Sequence, residues 1–364
     1  MKANLSKRLK FFILILSVSA AMLSACSAFP QKETVPSTTE SSLGSSTPVS
    51  ATPEATTSAL PDFTLDPAGN VYKINGTDYL SYYPTLEESD IKNKAQEFAF
   101  QVNTIVKRHP DVRFYAYYVT KTEDLTWFNE SEGISVFDYS AYIDSLLSDK
   151  IKYDKLDIET FEDLQTYLFK TDHHWTPIGG HQGYLDIWAM MRDDFGLSPA
   201  KVPVATVDFG KSIQWYGSKY NKSGGGITVS PDSFKIYKYD LGAYKSYMGG
   251  KEKDIGLEAQ YHSGVYSRDI NYQHYRYYYG NEEGLLKFEF PGNTYNCLMI
   301  GDSNNRPVRK LLASHFSNFY YIDKTILNQY AIDKFILDND IDAVVILGQL
   351  DMYYNWRFQN IPVK

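Results

Sequence analysis

The chain has 364 residues, of which 43% are hydrophobic and 22% charged, and its 44 acidic residues outnumber its 36 basic ones. The net charge of -8 argues against a nucleic-acid partner, because proteins that bind nucleic acids present basic surfaces. Two cysteines, Cys26 and Cys297, cannot build a disulfide framework or a zinc site of several cysteines. Cys297 lies in an apolar run and is predicted to be a buried small hydrophobe.

Residues 1–25 are predicted to be a signal peptide. Basic residues between Lys2 and Lys10 precede an apolar run from Phe11 to Met22, which is shorter than the about 20 residues of a bilayer span. The sequence Leu-Ser-Ala-Cys that ends at Cys26 resembles the lipobox of bacterial lipoproteins, whose cysteine receives a diacylglyceryl group. This resemblance implies a lipid anchor at Cys26. A secreted protein with a chance cysteine is the alternative.

Residues 26–62 are predicted to be a flexible stalk. Ser, Thr, Pro, Ala and Glu dominate this stretch, and such a composition cannot bury enough apolar surface to offset its ordering entropy. The remaining residues, 63–364, are predicted to form one α/β domain. Its length is acceptable for a single α/β unit that carries an insertion.

The first part of this domain alternates helical and strand patterns. Leu86 to Arg108 has helical spacing, Val112 to Val119 is rich in aromatic and β-branched residues, and Asp138 to Leu147 indicates a short helix. Thr176 as N-cap and Pro177 as first residue predict the start of a longer helix.

The side chains of this longer helix suggest how it packs. Ile178, His181, Leu185 and Trp188 fall on one face of this helix. Glycines are poor helix formers, so their presence indicates that another element approaches the helix closely. They are Gly179, Gly180 and Gly183.

The stretch from Val202 to Gln273 is polar and aromatic and predicts short strands and loops. Many of the 31 tyrosines of the chain crowd the region from Tyr237 to Tyr279. Tyrosine offers a flat apolar ring with a polar tip, which suits contact with sugar rings. The alternative interpretation is that these are half-buried aromatic residues of strands.

The C-terminal part predicts a parallel sheet. Tyr295 to Ile300, Phe319 to Ile322 and Ala343 to Leu347 are apolar runs typical of buried strands. Helices are predicted between them, from Pro307 to Ser314 and from Lys324 to Leu337. Strands that alternate with helices in this way form parallel sheets.

A candidate nucleophile follows the first of these strands, in the segment Gly301-Asp302-Ser303. Ligands of open α/β sheets bind at the carboxyl ends of the strands. A serine at a helix start lies beside backbone N–H groups that can stabilise an oxyanion. Gly301 is expected to permit a tight turn there. The alternative is a capped turn without function.

A candidate base and its orienting acid lie in the segment Asp172-His173-His174-Trp175. A serine nucleophile needs a base, usually histidine, and a carboxylate that fixes the histidine tautomer. Asp172 and His174 are two residues apart, so one short segment can supply both groups. Two alternatives remain open: the histidines pack at the helix start, or the segment binds a metal together with His181.

Together the two segments resemble the DHHW protein family. The sequence Thr-Asp-His-His-Trp-Thr before a glycine-rich helix start is also similar to the SGNH-hydrolase-like domain of the alginate O-acetylation proteins, whose motif is Asp-x-His-Trp followed much later by Gly-Asp-Ser. The order is a circular permutation of that in common SGNH esterases. The resemblance implies that Ser303 is the nucleophile, His174 the base and Asp172 the orienting acid.

The predicted fold is therefore a three-layer, flavodoxin-like α/β domain with a parallel sheet and an irregular aromatic insertion. The Ser303 N–H is the natural first oxyanion donor, and Asn304 and Asn305 are candidates for a second. Gly280 and Asn281 are further oxyanion candidates, because they follow an aromatic run that reads as a strand. The chemistry requires no metal and no cofactor.

The expected activity is ester chemistry on a cell-surface or cell-wall polysaccharide, outside the cytoplasmic membrane. Ser303 would take an acetyl group and pass it to a sugar hydroxyl, as an O-acetyltransferase, or to water, as an esterase. The resemblance favours transfer and implies an integral membrane acyl-transfer partner. The alternative function is that of a non-catalytic glycan-binding or wall-assembly lipoprotein on a decayed hydrolase scaffold, favoured by the tyrosine surplus and by Asn304-Asn305 after the serine.

Overall fold

A computed structural model of the chain describes residues 63–354 apart from 75, 84–86, 131–135, 256–257 and 281–283. The leader, the stalk, Cys26 and Asn281 lie outside the described residues. The α-helices of the described part are α1 (Glu88–Arg108), α2 (Thr126–Asn129), α3 (Tyr139–Leu146), α4 (Phe161–Tyr167), α5 (Pro177–Phe195), α6 (Ser218–Lys222), α7 (Glu258–His262), α8 (His274–Tyr279), α9 (Arg306–Ala313) and α10 (Ile332–Asp338).

The strands of the same residues range from two to six residues in length. They are β1 (Phe63–Leu65), β2 (Val71–Ile74), β3 (Leu80–Tyr82), β4 (Arg113–Tyr118), β5 (Ile151–Lys155), β6 (Ala205–Asp208), β7 (Gln214–Trp215), β8 (Asp232–Ser233), β9 (Lys235–Lys238), β10 (Lys245–Met248), β11 (Lys251–Glu252), β12 (Leu285–Glu289), β13 (Asn296–Gly301), β14 (Asn318–Asp323) and β15 (Ala343–Gly348).

The centre of the fold is a mixed eight-stranded sheet with the order β11-β10-β12-β14-β13-β15-β4-β5. Five adjacent strands of this sheet run parallel to one another, namely β14, β13, β15, β4 and β5. The other three, β12, β10 and β11, continue the sheet antiparallel beyond β14. The predicted parallel sheet of the three C-terminal strands is confirmed, and β4 and β5 extend it on the side of β15.

Alternate residues of the central strands enter two separate hydrophobic cores. On β13, Cys297 and Met299 belong to one core, whereas Leu298 and Ile300 belong to the other. Buried side chains of α5 and α9 complete the first core, and those of α1 and α10 complete the second. Helices therefore cover both faces of the sheet, which confirms the predicted three-layer α/β architecture. Cys297 is fully buried, as predicted.

Two predicted elements differ from the structure. The helix expected from Lys324 to Leu337 consists of a 3-10 helix, Lys324–Gln329, and the separate α10. The aromatic run before Gly280, expected to be a strand, is the helix α8. Its buried residues are His274, Tyr275 and Tyr278, a helical spacing that the high β-propensity of tyrosine obscures.

Helix α5 begins as predicted, and its most buried face is a different one from the face that carries Leu185 and Trp188. Thr176 caps it by accepting a hydrogen bond from the Gly179 N–H at 3.1 Å. The face that carries Leu185 and Trp188 is only half-buried. The buried stripe runs instead through residues spaced three or four apart, which are Gly180, Gly183, Tyr184, Ile187 and Met191.

Two glycines of this stripe permit close approach. A Cβ at Gly180 would lie 2.5 Å from Pro307 of α9, and a Cβ at Gly183 would lie 2.5 Å from the ring of Trp175. Side chains at either position would push these neighbours apart, so the glycines bring α5 against α9 and Trp175. The expectation of close packing on this helix is confirmed. Among the described residues, no helix is long and apolar enough to cross a membrane.

We expect Gly183→Ala to lower the free energy of unfolding by about 1 to 3 kcal/mol, because the added methyl group overpacks the contact with Trp175. Alanine is the better helix former by about 1 kcal/mol, so helix propensity alone predicts the opposite sign. Urea denaturation measures the difference. Asp193→Ala, at an exposed position of the same helix, serves as the control and should change little. A more stable Gly183→Ala protein would contradict the packing argument.

Candidate active site

Ser303 lies at the carboxyl edge of the parallel strands, two residues after the end of β13. It opens a short 3-10 helix, Ser303–Asn305, which leads directly into α9. Gly301 is required for a reason other than the expected turn: a Cβ there would lie 2.4 Å from the Leu347 carbonyl oxygen of β15. The glycine therefore lets two neighbouring strands pair closely just before the serine.

Asp302 fixes the backbone of the turn at Ser303 and the backbone just after β15. Its buried carboxylate accepts hydrogen bonds from the Asn304 N–H at 2.8 Å and from the Gln349 N–H at 3.1 Å. Gln349 follows the last residue of β15, Gly348. Asp302 thus ties the turn that presents Ser303 to the end of the adjacent strand.

Ser303, His174 and Asp172 are connected by consecutive hydrogen bonds. Ser303 Oγ is 2.7 Å from His174 Nε2, and His174 Nδ1 is 2.5 Å from Asp172 Oδ1. Because a carboxylate can only accept, Nδ1 carries the proton, and Nε2 is left to accept from the serine hydroxyl. Ser303 is half-buried, whereas His174 and Asp172 are buried.

Asp172 is held ionised by its surroundings. Its Oδ1 also accepts from the His174 N–H at 3.0 Å, and its Oδ2 accepts from the Ser218 N–H at 2.7 Å. Burial raises the pKa of Asp172, but the two neighbouring histidines and these hydrogen bonds outweigh it, so the pKa lies well below its ordinary value. A Cβ at Gly217 would lie 2.3 Å from the Asp172 Cβ, so glycine is needed there.

Thr171 anchors the motif to the aromatic insertion. Its hydroxyl donates to Asp232 Oδ2 at 2.5 Å and accepts from the Gly217 N–H at 2.9 Å. The Thr171 N–H also donates to Asp232 Oδ2, at 2.9 Å. The loop before α5 and the segment before α6 are therefore joined through buried polar groups.

The His174 ring lies between two other rings. The centroid of the His173 ring is 3.8 Å away, and that of the Tyr275 ring is 4.0 Å away at an interplanar angle of 20°. The Tyr275 hydroxyl donates to the Ser303 carbonyl oxygen at 3.4 Å. Burial lowers the pKa of His174 more than the Asp172 carboxylate raises it, so the pKa lies below the ordinary histidine value. The imidazole is therefore neutral at pH 7.

His173 is fixed by different partners. Its Nδ1 is 2.5 Å from Ser218 Oγ, and its carbonyl oxygen accepts from Gln349 Nε2 at 2.5 Å. Burial and the electrostatic effect of the neighbouring His174 ring lower the pKa of His173 to about 4, against the opposing effect of Asp172. His173 is half-buried and lies beside, but outside, the hydrogen-bonded chain that ends at Ser303.

The predicted oxyanion donors differ in their positions and hydrogen-bond partners. The Asn304 side-chain amide donates to Asp302 Oδ1 at 3.0 Å, and the Asn305 amide donates to the Asp302 carbonyl oxygen and to the Tyr321 hydroxyl. Both amides thus support the turn that presents Ser303. Gly280 follows α8 with a left-handed φ of 90°, and Asn281 lies outside the described residues.

Asp172, His173 and His174 are also close enough to be considered as metal ligands. One donor atom of each lies within 4.8 Å of the others. Asp172 Oδ1, however, already accepts from His174, and His173 Nδ1 is bonded to Ser218. Among the described residues His181 does not belong to this group, and its Nδ1 is 2.9 Å from the Tyr239 hydroxyl. A metal ion bound to these atoms would have to replace the hydrogen bond between His174 Nδ1 and Asp172 Oδ1.

Sequence reasoning missed several residues that contact this site. Gln349 directly follows a buried strand, so the strand-end rule that found Ser303 also applies to it. Ser218 contributes a backbone N–H, which carries no signature in the sequence. Tyr275 is one of many tyrosines, and only the three-dimensional structure singles it out.

The comparison with solved structures shows what this fold resembles. A DHHW family protein from Eubacterium siraeum matches with a TM-score of 0.57 and 18% identity, over 78% of this chain and 91% of that one. PatB1 from Bacillus cereus with a sulfonyl adduct matches with a TM-score of 0.61 and 17% identity, over 77% and 96%. The O-acetyltransferase domain of AlgJ from Pseudomonas putida matches more weakly, with a TM-score of 0.43 and 11% identity, over 83% and 96%.

The first two similarities confirm the predicted α/β fold, and the first confirms, at the level of the fold, the predicted resemblance to a DHHW family protein. No protein-family model matches the sequence. No curated protein matches it either.

We expect Asp172→Asn to lower the pKa of His174 further, because it removes the negative charge that favours the imidazolium. Imidazole ¹⁵N chemical shifts followed as the pH falls measure this pKa, and protonation should begin at a lower pH than in the unmodified protein. Asp193→Asn, on the exposed end of α5, is the matched carboxylate control. An unchanged or raised pKa in Asp172→Asn would show that the Asp172 carboxylate does not act on His174.

Proposed function

We propose that this protein transfers an acyl group, through an acyl-enzyme on Ser303, from an ester to a sugar hydroxyl or to water. The observation that carries the proposal is the chain of hydrogen bonds from Ser303 through His174 to Asp172. A serine hydroxyl, a neutral imidazole and a buried carboxylate in this order are what nucleophilic catalysis by serine requires. The position of Ser303 at the carboxyl edge of the parallel strands also agrees with this proposal.

In the first half of the reaction Ser303 Oγ attacks the carbonyl carbon of the ester, and His174 Nε2 takes the hydroxyl proton. The carbonyl oxygen becomes an oxyanion, for which the Ser303 N–H at the start of the short helix is the nearest backbone donor. When the tetrahedral intermediate collapses, the bond between carbon and the leaving oxygen breaks. His174 returns its proton to that oxygen, so the alcohol leaves neutral and the acyl group stays on Ser303.

In the second half an acceptor hydroxyl attacks the acyl-enzyme. His174 takes the acceptor's proton, the new ester bond forms, and the bond to Ser303 Oγ breaks as the serine regains its proton. A sugar acceptor makes the protein an O-acetyltransferase, and water makes it an esterase. Asp172 stabilises the imidazolium that forms in each half and remains ionised throughout.

A polysaccharide of the cell envelope is the substrate we propose, with an integral membrane protein as the acyl donor partner. The resemblance of the Asp172 and Ser303 motifs to those of the alginate O-acetylation proteins supports this proposal, and the fold shared with PatB1 and a DHHW family protein is compatible with it. The leader sequence supports a location outside the cytoplasmic membrane, with a lipid anchor at Cys26.

We expect Ser303→Ala and His174→Ala to reduce the hydrolysis of p-nitrophenyl acetate by about 10²- to 10⁴-fold. The reason is that one variant lacks the nucleophile and the other lacks its base. Ser145→Ala, an exposed serine on α3, is the matched control and should keep full activity. A sulfonyl fluoride should label Ser303, as detected by mass spectrometry of peptides, and should label the His174→Ala protein much more slowly.

Equal hydrolysis by all four proteins, together with no labelling of Ser303, would exclude the acyl-enzyme. The remaining hypothesis would then be the non-catalytic glycan-binding lipoprotein. Labelling of Ser303 without hydrolysis would instead support a transferase that excludes water from its acyl-enzyme.

We expect Cys26→Ser to abolish incorporation of a radiolabelled fatty acid, because the thiol is the acceptor of the diacylglyceryl group. The protein should then fail to partition with membranes when cells are fractionated. Cys297→Ser, at a position buried in the fold, is the control for labelling. Fatty-acid labelling that persists in Cys26→Ser would disprove the lipid anchor.

A further inference from the structure

A cavity of about 510 Å³ lies against the N-terminal ends of α5 and α9. Its volume falls within the range of small-molecule sites, about 300 to 1,000 Å³. Half-buried tyrosines form much of its wall, among them Tyr237, Tyr239, Tyr244 and Tyr279. Such rings offer flat apolar faces with polar tips, which suit the alternating apolar and hydroxyl surfaces of a sugar.

Arg306 supplies an uncompensated positive charge to this cavity. It lines the cavity, is only 8% exposed, and has no hydrogen-bond or ion-pair partner for its guanidinium among the described residues. The lysine of the wall, Lys310, is paired with Glu258 at 2.7 Å. A buried charge without a counter-ion is costly, so an anionic group that binds here would offset that cost.

The acidic residues of the cavity do not remove this preference. Asp240 and Asp254 line it at exposed positions, where solvent and salt screen their charge. Arg306 is buried, so its charge acts in a less polar environment. The guanidinium fork also matches carboxylate and phosphate oxygens with two parallel hydrogen bonds.

Some residues that line the cavity also contact Ser303 or follow it closely in the chain. The Arg306 N–H donates to the Ser303 carbonyl oxygen, so the two residues lie one turn apart. Two prolines that also line the cavity lie in the first turns of the helices that follow the His174 and Ser303 segments: Pro177 is the first residue of α5, and Pro307 is the second residue of α9. The charge of Arg306 is close enough to His174 to lower the pKa of that histidine. Ser303 and His174 do not line the cavity themselves, so a ligand there would lie next to the helices that follow them.

We propose that this cavity binds the saccharide substrate of the acyl transfer, and that the saccharide carries an anionic group, a carboxylate or a phosphate, which pairs with Arg306. The inference rests on the proposed function for its link to ester chemistry. Binding itself requires only the tyrosine wall and the guanidinium, and is therefore measurable without turnover.

The test measures binding of D-glucuronate, D-glucose 6-phosphate and D-glucose to the Ser303→Ala protein by titration calorimetry. We expect at least one acidic sugar to bind about tenfold more tightly than glucose, because the charge-assisted hydrogen bonds to Arg306 are absent with glucose. The tighter of the two acids shows whether the anion is a carboxylate or a phosphate. Arg306→Gln should remove the preference, and Arg306→Lys should retain part of it because the charge remains.

Arg192→Gln is the matched control, since Arg192 is exposed on the far end of α5 and paired with Asp193. It should bind the acidic sugar like the parent protein, and thermal denaturation verifies that each variant is folded. Glucose bound as tightly as both acids, no binding of any probe, or undiminished affinity in Arg306→Gln would each overturn the proposal. Selective binding of the acid by a protein whose Ser303 is unreactive would leave the cavity assignment standing and refute the ester chemistry.

Discussion

The buried negative charge of Asp172 is the constraint on which the site depends. A carboxylate in this environment is stable only when its oxygens are hydrogen-bonded, and Asp172 accepts from the His174 ring, the His174 backbone and the Ser218 backbone. Each of these bonds also fixes a neighbour. The histidine tautomer, the turn between Asp172 and His174, and the start of α6 are thus set by a single charged group.

The second constraint is how closely the segment that carries His174 can approach the segment that carries Ser303. Ser303 and His174 are 129 residues apart in sequence, yet their side chains are 2.7 Å apart. Helix α5 follows one segment and α9 follows the other, so the distance between the helices decides whether the side chains meet. Glycines at the crossing remove the side chains that would separate them. The same packing explains why Trp175 is fully buried, since its ring fills the space beside Gly183.

The parts of the structure that follow from local pattern were predictable from the sequence. The apolar runs around Leu298 and Val345 have the composition of buried strands, and the cap Thr176 before Pro177 has the chemistry of a helix start. The two motifs at Asp172 and Ser303 were recognisable because each combines a reactive side chain with the end or the start of an element. Gly301 was recognised as important for the wrong reason, because a glycine that permits close strand pairing looks identical in sequence to one that permits a turn.

The parts that could not be predicted depend on contacts between distant residues. The prediction of a strand at the α8 tyrosines is wrong, because a run of aromatic residues fits a strand and a buried helix face equally well over six positions. The sequence between α5 and β12 predicts only an irregular aromatic insertion. In the structure it supplies the Ser218 N–H to Asp172, the Asp232 carboxylate to Thr171 and the Tyr275 ring to His174.

The same insertion provides the tyrosine wall of the cavity beside Arg306. One irregular segment therefore both holds the reactive histidine and shapes the space next to it. A substitution in the insertion that reshapes the cavity also acts on the elements that position His174, so the choice of ligand and the geometry of the reacting groups cannot vary independently.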